Sequence, residues 1–573
     1  MKKIIYSIAF TLLSLSFGGT MVSCSDSHLE DINTDKTKAS TINPNAQLTT
    51  GLLQTYGDFG MMDTYRSYIT GFTQHFMGGW NVANYAGSVH ADNDQMRLVW
   101  DEIYNVGIKN LVDAISKTGD KPNVNAALRI HRVYLIDILT DIYGDVPCTE
   151  AGMGYIKGIS MPKYDKQEDI YNWMFAELDT CIDQIGTGTD NITGDVTSLK
   201  GDAAKWKRYA NSLRMRYAMR ISDVAPEIAQ KEFEKAVQSP AGYIASADDD
   251  AYIKYIDGPF TLYDGAQALD FRVNALGEAL YGQDPTSPTM ICATFFNQMR
   301  DTQDPRLYRI CRHYLNTKRS QVKPDEEWNV DVTDEVVTYE NSSEGEGPHP
   351  CVVGTAWWHN WVSAPANEKI PTLNRLVKQY PDAGFDQSNF NARMMRPMLS
   401  IKLEKPDCPG ILMTSAEVEF LLAEAKLKGW NVPGDVKTHY EAGIRASMQM
   451  LNNYYDINKI TDQEIADFIA ANPVSDNPKR DINTQAWILH TLNPSEAWAN
   501  QRRSDYPELV DRSTLPTYPN DFTYDDADLH TPVRLMYPAL EAKYNTANYQ
   551  ETLSRAPLNG KDDWHKRIWW DVK

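Results

Sequence analysis

Cysteine is scarce in this chain: seven in 573 residues, and no two in CxxC spacing. That excludes a zinc ribbon and a thioredoxin-type motif. Beyond Cys24 the cysteines are Cys148, Cys181, Cys292, Cys311, Cys351 and Cys408. A chain this long does not need disulfides, so mostly free, buried thiols are expected. Long apolar runs are also missing. No stretch after the N-terminus reaches the 18 apolar residues of a membrane span. Basic residues are in the minority, 56 against 77 acidic, for a net charge of −21. Nucleic-acid recognition depends on a basic surface, so that class is set aside, while a neutral or cationic ligand fits. The usual catalytic signatures (HExxH, GxSxG, a Walker A loop, GxGxxG) are absent as well, and the chain reads as a non-enzyme. Only a glycosidase pair of carboxylates escapes this test, because two acids can converge from anywhere in a sequence.

Aromatics, by contrast, are plentiful: 14 Trp and 31 Tyr. Tyr and Trp join an apolar ring to a polar handle and serve cores and binding surfaces alike. The N-terminus reads as a leader. Lys2 and Lys3 precede an apolar run over residues 4–17, then small residues, then "MVSC" ending at Cys24. A basic start, a short apolar stretch and small residues make a secretory signal, here residues 1–23. The Ser23–Cys24 junction resembles a bacterial lipobox, with Cys24 as the lipidated residue. Residues 24–45 read as a polar tether, and residues 46–573 as a single binding domain. The mature chain would then be anchored to a membrane without spanning it.

Helical periodicity dominates the rest. Over residues 202–222, Trp206, Tyr209, Leu213, Tyr217 and Ile221 make one apolar stripe, with Arg208, Arg214, Arg216 and Arg220 around it. In "TSAEVEFLLAEAKLKGW", Thr414 and Glu417 have capping-box spacing, Val418, Leu421, Leu422 and Ala425 form the buried face, and Gly429 is placed to end the helix. A second helix follows with Tyr440, Ile444, Met448, Leu451 and Tyr455 on one side. Two such helices joined by a short Gly/Pro turn form a hairpin of tetratricopeptide type. Residues 125–143 and 166–185 read as another, which places tetratricopeptide-like helices near 125–221 and 414–455. Loop-rich stretches lie at 71–94, 258–288 and 318–387, with one strand candidate at 335–340. The fold class is mainly α: a scaffold of helix pairs carrying long, loop-rich insertions.

Seven strings occur in order: "DIYGDVPCTEA" (141–151), "WKRYANSLRMRYAMRIS" (206–222), "DPRL" (304–307), "LMTSAEVEFLLAEAKLKGW" (412–430), "YEAGIRASM" (440–448), "RRSDYPEL" (502–509) and "RLMYPALEAKYN" (534–545). With the lipobox they closely resemble the SusD/RagB family of nutrient-binding outer-membrane lipoproteins, over essentially the whole mature chain. The resemblance implies a SusD-like fold, no catalytic activity and a position at the cell surface as a lid over a SusC-like TonB-dependent β-barrel transporter. It implies capture of oligosaccharides, or in some branches peptides, and their delivery inward. A mainly structural lid for the transporter is the remaining alternative. Arg502, Arg503 and Asp505 are expected to form a buried ion-pair network.

Two aromatic stretches are the site candidates. One is "QHFMGGWNVANYAG" (74–87), with Trp80, Asn81 and Tyr85 beside Gly78 and Gly79, which permit unusual backbone angles and close ligand approach. The other is "TAWWHNW" (355–361), with Trp357, Trp358, His359 and Trp361. An indole face stacks on the C–H face of a pyranose, while neighbouring Asn or His bonds to hydroxyls; the same ring also holds peptide side chains. Residues at i and i+4 share a helix face, so Trp357 and Trp361 can equally pack inward. No cofactor is expected. The acidic stretches 31–36 and 248–250 are the places where a structural calcium would be sought.

Overall fold

Asp202 starts the clearest helix, its carboxylate accepting the N–H groups of Ala204 and Lys205 as an N-cap. The same local logic recurs along a computed structural model that describes residues 42–258, 271–281, 289–313, 350–356, 396–525 and 527–572. In chain order the main elements are α1 (Pro44–Gly57), β1 (Phe76–Met77), α2 (Trp80–Asn84), α3 (Lys109–Ser116), α4 (Pro122–Tyr143), α5 (Gln167–Gln184), α6 (Ala203–Arg220), α7 (Pro226–Gln238) and β2 (Ala251–Ile253). Then come β3 (Met290–Ile291), β4 (Cys311–His313), β5 (Pro397–Leu399), β6 (Gly410–Met413), α8 (Ser415–Leu427), α9 (Val436–Tyr454), α10 (Pro478–Leu489), α11 (Pro494–Ser504), α12 (Ala539–Tyr544) and α13 (Thr546–Ser554).

Helices pack in sequential pairs, α4 on α5, α6 on α7, α8 on α9 and α10 on α11. Among the described residues the strands form two-stranded antiparallel ribbons, β1–β3, β2–β6 and β4–β5. Each ribbon joins segments far apart in sequence: Phe76 faces Ile291, and Cys311 faces Leu399. The fold is mainly α, as the periodicity predicts, and Pro44–Lys573 forms one compact unit. All six cysteines from Cys148 onward are free and buried. The leader, Cys24, acidic residues 31–36 and strand candidate 335–340 lie outside the described residues.

The α8–α9 hairpin follows its sequence closely. Thr414 accepts the Glu417 N–H, and Gly429, at φ +79°, lets the chain turn back after α8. The capping box is only half made, however. Glu417 turns inward, and its two carboxylate oxygens accept Arg216 Nε at 2.6 Å and Nη2 at 2.7 Å. Burial would raise the Glu417 pKa, but the charge of Arg216 and the bonds from His490 and Arg216 hold it down to about 2. The arginines of α6 correct the sequence reading in the same way. Arg214, Arg216 and Arg220 are buried, so three of the four cations set around the apolar stripe belong to the core.

This polar core uses the ordered motifs. Arg220 Nη2 donates to both oxygens of Glu496 at 2.7 and 2.6 Å, and its Nε lies 3.1 Å from Asp141. Asp141 also accepts Tyr171 Oη at 2.6 Å and Trp570 Nε1 at 2.7 Å. Arg503 makes a two-pronged bond to Glu424, 2.7 Å on each arm. Arg502 donates to the carbonyls of Asp141 and Val533 and stacks over Trp498 with its guanidinium carbon 3.9 Å from the ring centroid. Arg306 donates to Asp304, Ser447 and Gln485. Asp505 does not fill the role expected of it: it is exposed and caps the end of α11 in a left-handed conformation. Buried charges are costly unless paired, and here the pairs tie α4, α6, α8 and α11 together.

Candidate functional site

The early aromatic stretch is less of a loop than its glycines suggest. After a turn at Gln74 (φ +57°) the chain forms β1, passes through Gly78 and enters the five-residue helix α2. Most of residues 71–94 are buried, which corrects the expectation of a loop-rich surface stretch there. His75 is one reason. Its Nε2 lies 2.9 Å from the Trp487 carbonyl, its ring centroid is 4.5 Å from that of Trp487 at a 32° tilt, and Trp487 Nε1 donates to the Thr73 carbonyl. Burial pushes the His75 pKa down to about 3, so the ring is neutral and serves as a hinge pin between β1 and α10.

Only one of the paired glycines has an unusual conformation. Gly78 sits at φ +86°, whereas Gly79 has φ −65°. The close approach at Gly78 is to the protein itself: a Cβ there would come 2.6 Å from Cys351 Sγ. The reason is a pairing across the chain. Gly78 bridges Ala356 in parallel, and Cys292 bridges Cys351. Ala356 is the residue immediately before Trp357 in sequence, so the described end of the second aromatic stretch pairs with the first. Trp357, Trp358, His359 and Trp361 themselves lie outside the described residues, as do nearly all of residues 318–387.

A third segment, with no signature of its own in the sequence, completes the junction. Gln74 Nε2 donates to the Val510 carbonyl at 2.7 Å, and Val510 N–H donates to Gln74 Oε1 at 3.1 Å. Buried Arg512 donates from Nε to the Gly87 carbonyl and from Nη2 to Tyr524 Oη at 3.3 Å. Gly354, at φ +80°, leaves the space Arg512 needs: a Cβ there would meet Nε at 2.6 Å. Segments 74–90, 350–356 and 510–525 therefore meet around one arginine.

Trp80 stands on this junction with 44% of its surface exposed, at the start of α2. Its ring meets Tyr85 edge-on, centroids 6.1 Å apart at 80°. Tyr85 stacks on His90 at 5.6 Å and 11°, and His90 Nδ1 pairs with Asp525. Asn81 is half-buried beside Trp80. Tyr85, only 8% exposed, is a prop beneath Trp80, which corrects its reading as a surface contact. Burial raises its hydroxyl pKa, so it stays protonated. The arrangement offers one indole with a solvent face, an amide next to it, and an acid–imidazole pair at the end of a ring stack. That suits stacking and hydrogen bonding to a neutral, hydroxyl-rich ligand.

Among the described residues no group of three or more His, Cys, Asp or Glu is placed to hold a metal. In the acidic turn 248–250, Asp250 accepts the Ser415 N–H at 2.6 Å and Tyr454 Oη at 2.8 Å, and Asp249 pairs with Arg208 at 2.9 Å. Burial pushes Asp250 up to about 6, and its bonds serve the start of α8.

Residues 34–330 and 378–538 match a family model described as SusD-like, starch-binding, associating with the outer membrane. A SusD-like protein from Bacteroidetes AC2a is 40% identical, with a TM-score of 0.82, over 93% of this chain and all of its own. A chitin-binding protein is 29% identical, with a TM-score of 0.71 over the same shares. A SusD homologue from Bacteroides uniformis, 23% identical with a TM-score of 0.67 over 93% of this chain and all of its own, shares the fold. None of the curated proteins is detectably similar. On the strength of the family model and the 40% identical relative, the chain belongs to the SusD-like family of glycan-binding proteins associated with the outer membrane.

Proposed function

We propose that the protein is a lipid-anchored receptor at the cell surface that binds oligosaccharides and passes them to a SusC-like TonB-dependent barrel. It is anchored through Cys24 and catalyses no reaction. The observation that carries this reading is the half-exposed Trp80, propped by Tyr85 at the junction of three segments, in a chain whose relatives include a chitin-binding protein. The indole supplies stacking, Asn81 and the His90–Asp525 pair supply hydrogen bonds, and Ala356, which precedes the Trp357–Trp361 stretch in sequence, pairs with Gly78 at the same junction. Chitin- and starch-derived oligomers are the first ligands to try.

Titration of the lipid-free protein, read by tryptophan fluorescence, tests the ligand. The expected result is saturable binding of a glycan, weakened by Trp80→Ala. Cleavage of the glycan would overturn the non-catalytic role. Binding confined to a protein digest, and weakened by salt, would replace the glycan with cationic peptides drawn by the −21 charge. Co-purification of a β-barrel with the anchored protein tests delivery, and its absence from a gently solubilised outer membrane would count against that step.

A further inference from the structure

The most exposed aromatic side chain of the described residues lies far from Trp80 in sequence. Residues 152–163, "GMGYIKGISMPK", contain Lys157 and Lys163 and no acidic residue, in a chain of net charge −21, although Glu150 and Asp165 flank them and Asp165 lies 4.0 Å from Lys163 Nζ. Tyr155 is 90% exposed, Met161 59% and Ile156 39%. The segment is nevertheless held in place. Gly152, at φ +74°, packs against Val112 of α3. Lys109 Nζ sits 5.6 Å from the Tyr155 ring centroid, and Asn545 and Asn548 donate to the carbonyls of Pro162 and Met161. Tyr, aliphatic and Lys side chains presented together from a fixed backbone are the composition of a membrane-interface contact. The rings and alkyl groups enter the headgroup boundary, and the ammonium groups meet anionic lipid.

The point at which the chain enters the folded unit supports the same occupant. Gln47, in the first turn of α1, donates to Asp113 of α3 at 2.7 Å. Asp113 is one helical turn, about 6 Å, from Lys109. The first helix of the folded unit, α1, therefore starts beside this face, and Cys24 precedes Pro44 by 20 residues in sequence. We propose that residues 152–163, with Lys109, rest on the anionic surface of the membrane that holds the lipid anchor and fix the tilt of the receptor on its tether. The orientation rests on the anchoring proposed above; the affinity of the face for lipid does not.

The test uses the lipid-free chain from Ser25 onward, because Pro44–Lys573 forms its own compact unit. The probes are vesicles of phosphatidylcholine alone or mixed with phosphatidylglycerol. The protein should co-sediment with the anionic vesicles and be released by salt. The triple variant Tyr155→Ser, Ile156→Ser, Met161→Ser should lose about tenfold or more of that binding with its thermal midpoint unchanged. Lys157→Glu with Lys163→Glu should abolish the preference for anionic vesicles. Wild type that fails to co-sediment, or a triple variant that sediments equally well, would overturn the proposal. So would a photo-crosslinker at position 155 that labels only protein in intact outer membranes. Fatty-acid labelling of Cys24→Ala against wild type reads the anchor separately.

Discussion

The α4–α11 scaffold and the Trp80 junction are built on opposite principles. The scaffold is held by buried arginine–carboxylate pairs that repeat along packed helices, each pair joining elements whose helical character is local. The junction is held by a few hydrogen bonds between three remote segments: Gln74 with Val510, Arg512 to Gly87, Gly78 with Ala356. A scaffold of this kind resists change, whereas a junction of this kind can vary its loops without unfolding the body. That division suits a binding protein whose ligand surface must differ between relatives sharing one frame.

The comparison breaks most visibly at Arg216. Arg216→Ala leaves Glu417 buried without its main partner and should cost about 3–5 kcal/mol, measured by denaturant unfolding, while the folded fraction keeps its ligand. Unchanged stability would mean that the polar core is ornamental. Acid sharpens the same point. Glu417 is held at about 2 in the folded protein against an ordinary value of 4.5. A depressed folded pKa contributes stability that is present above the unfolded value and is lost as pH falls towards the folded one. Other buried acids titrate in the opposite sense: burial, with Asp141 nearby, raises Asp137 well above its ordinary value. The clean quantity is therefore the stability gap between wild type and Glu417→Gln. It should shrink by up to about 3 kcal/mol between pH 5 and pH 2. A gap independent of pH would show that Glu417 is not the ionised partner of Arg216.

At the junction the expected effects on stability are smaller. Gly78→Ala forces a Cβ into Cys351 Sγ and into an unfavourable backbone region, and should cost about 1–3 kcal/mol. It should weaken ligand binding too, because the segment 350–356 that pairs with Gly78 must shift. Binding that survives intact would mean that the pairing of Gly78 with Ala356 does not organise the site. Trp80→Ala should leave the unfolding midpoint unchanged and reduce glycan affinity about tenfold, or about 1.4 kcal/mol. Loss of stability with unaltered affinity would move Trp80 from the site into the core.

How much of each region was legible follows from the same contrast. Helical period, the Thr414 cap and the Gly429 stop are local signals, so α5, α6 and α8 could be placed within a residue or two, whereas α4 starts three residues before the expected 125 and α7 was not anticipated. The burial of Arg214, Arg216 and Arg220 was not legible, because a cation on a helix reads as solvated until its carboxylate partner, far along the chain, is known. Of the described candidate residues, Trp80 is the one with a large solvent face, and the sequence marks it as a lone indole after paired glycines. Arg512, His90 and Asp525 carry no signature of their own. Their roles arise from contacts spanning more than four hundred positions in the bonds Arg512 and Asp525 make. Tyr85 looked like a ligand contact because composition cannot separate a ring that faces solvent from one that supports it.

The smallest expected effect tests how far the ring stack reaches. Asp525 is exposed and pairs with His90, which stacks on Tyr85, which props Trp80. Exposed pairs of this type contribute under about 1 kcal/mol to stability, so Asp525→Asn should leave the unfolding midpoint within error. If the stack transmits position, however, His90 loses its partner, the Tyr85 ring relaxes, and the Trp80 face moves relative to Asn81. Glycan affinity should then fall about threefold, less than for Trp80→Ala, with the double variant no worse than Trp80→Ala alone. A fully additive double variant would show instead that Asp525 meets the ligand directly, making the acid–imidazole pair a second contact point rather than the end of a support.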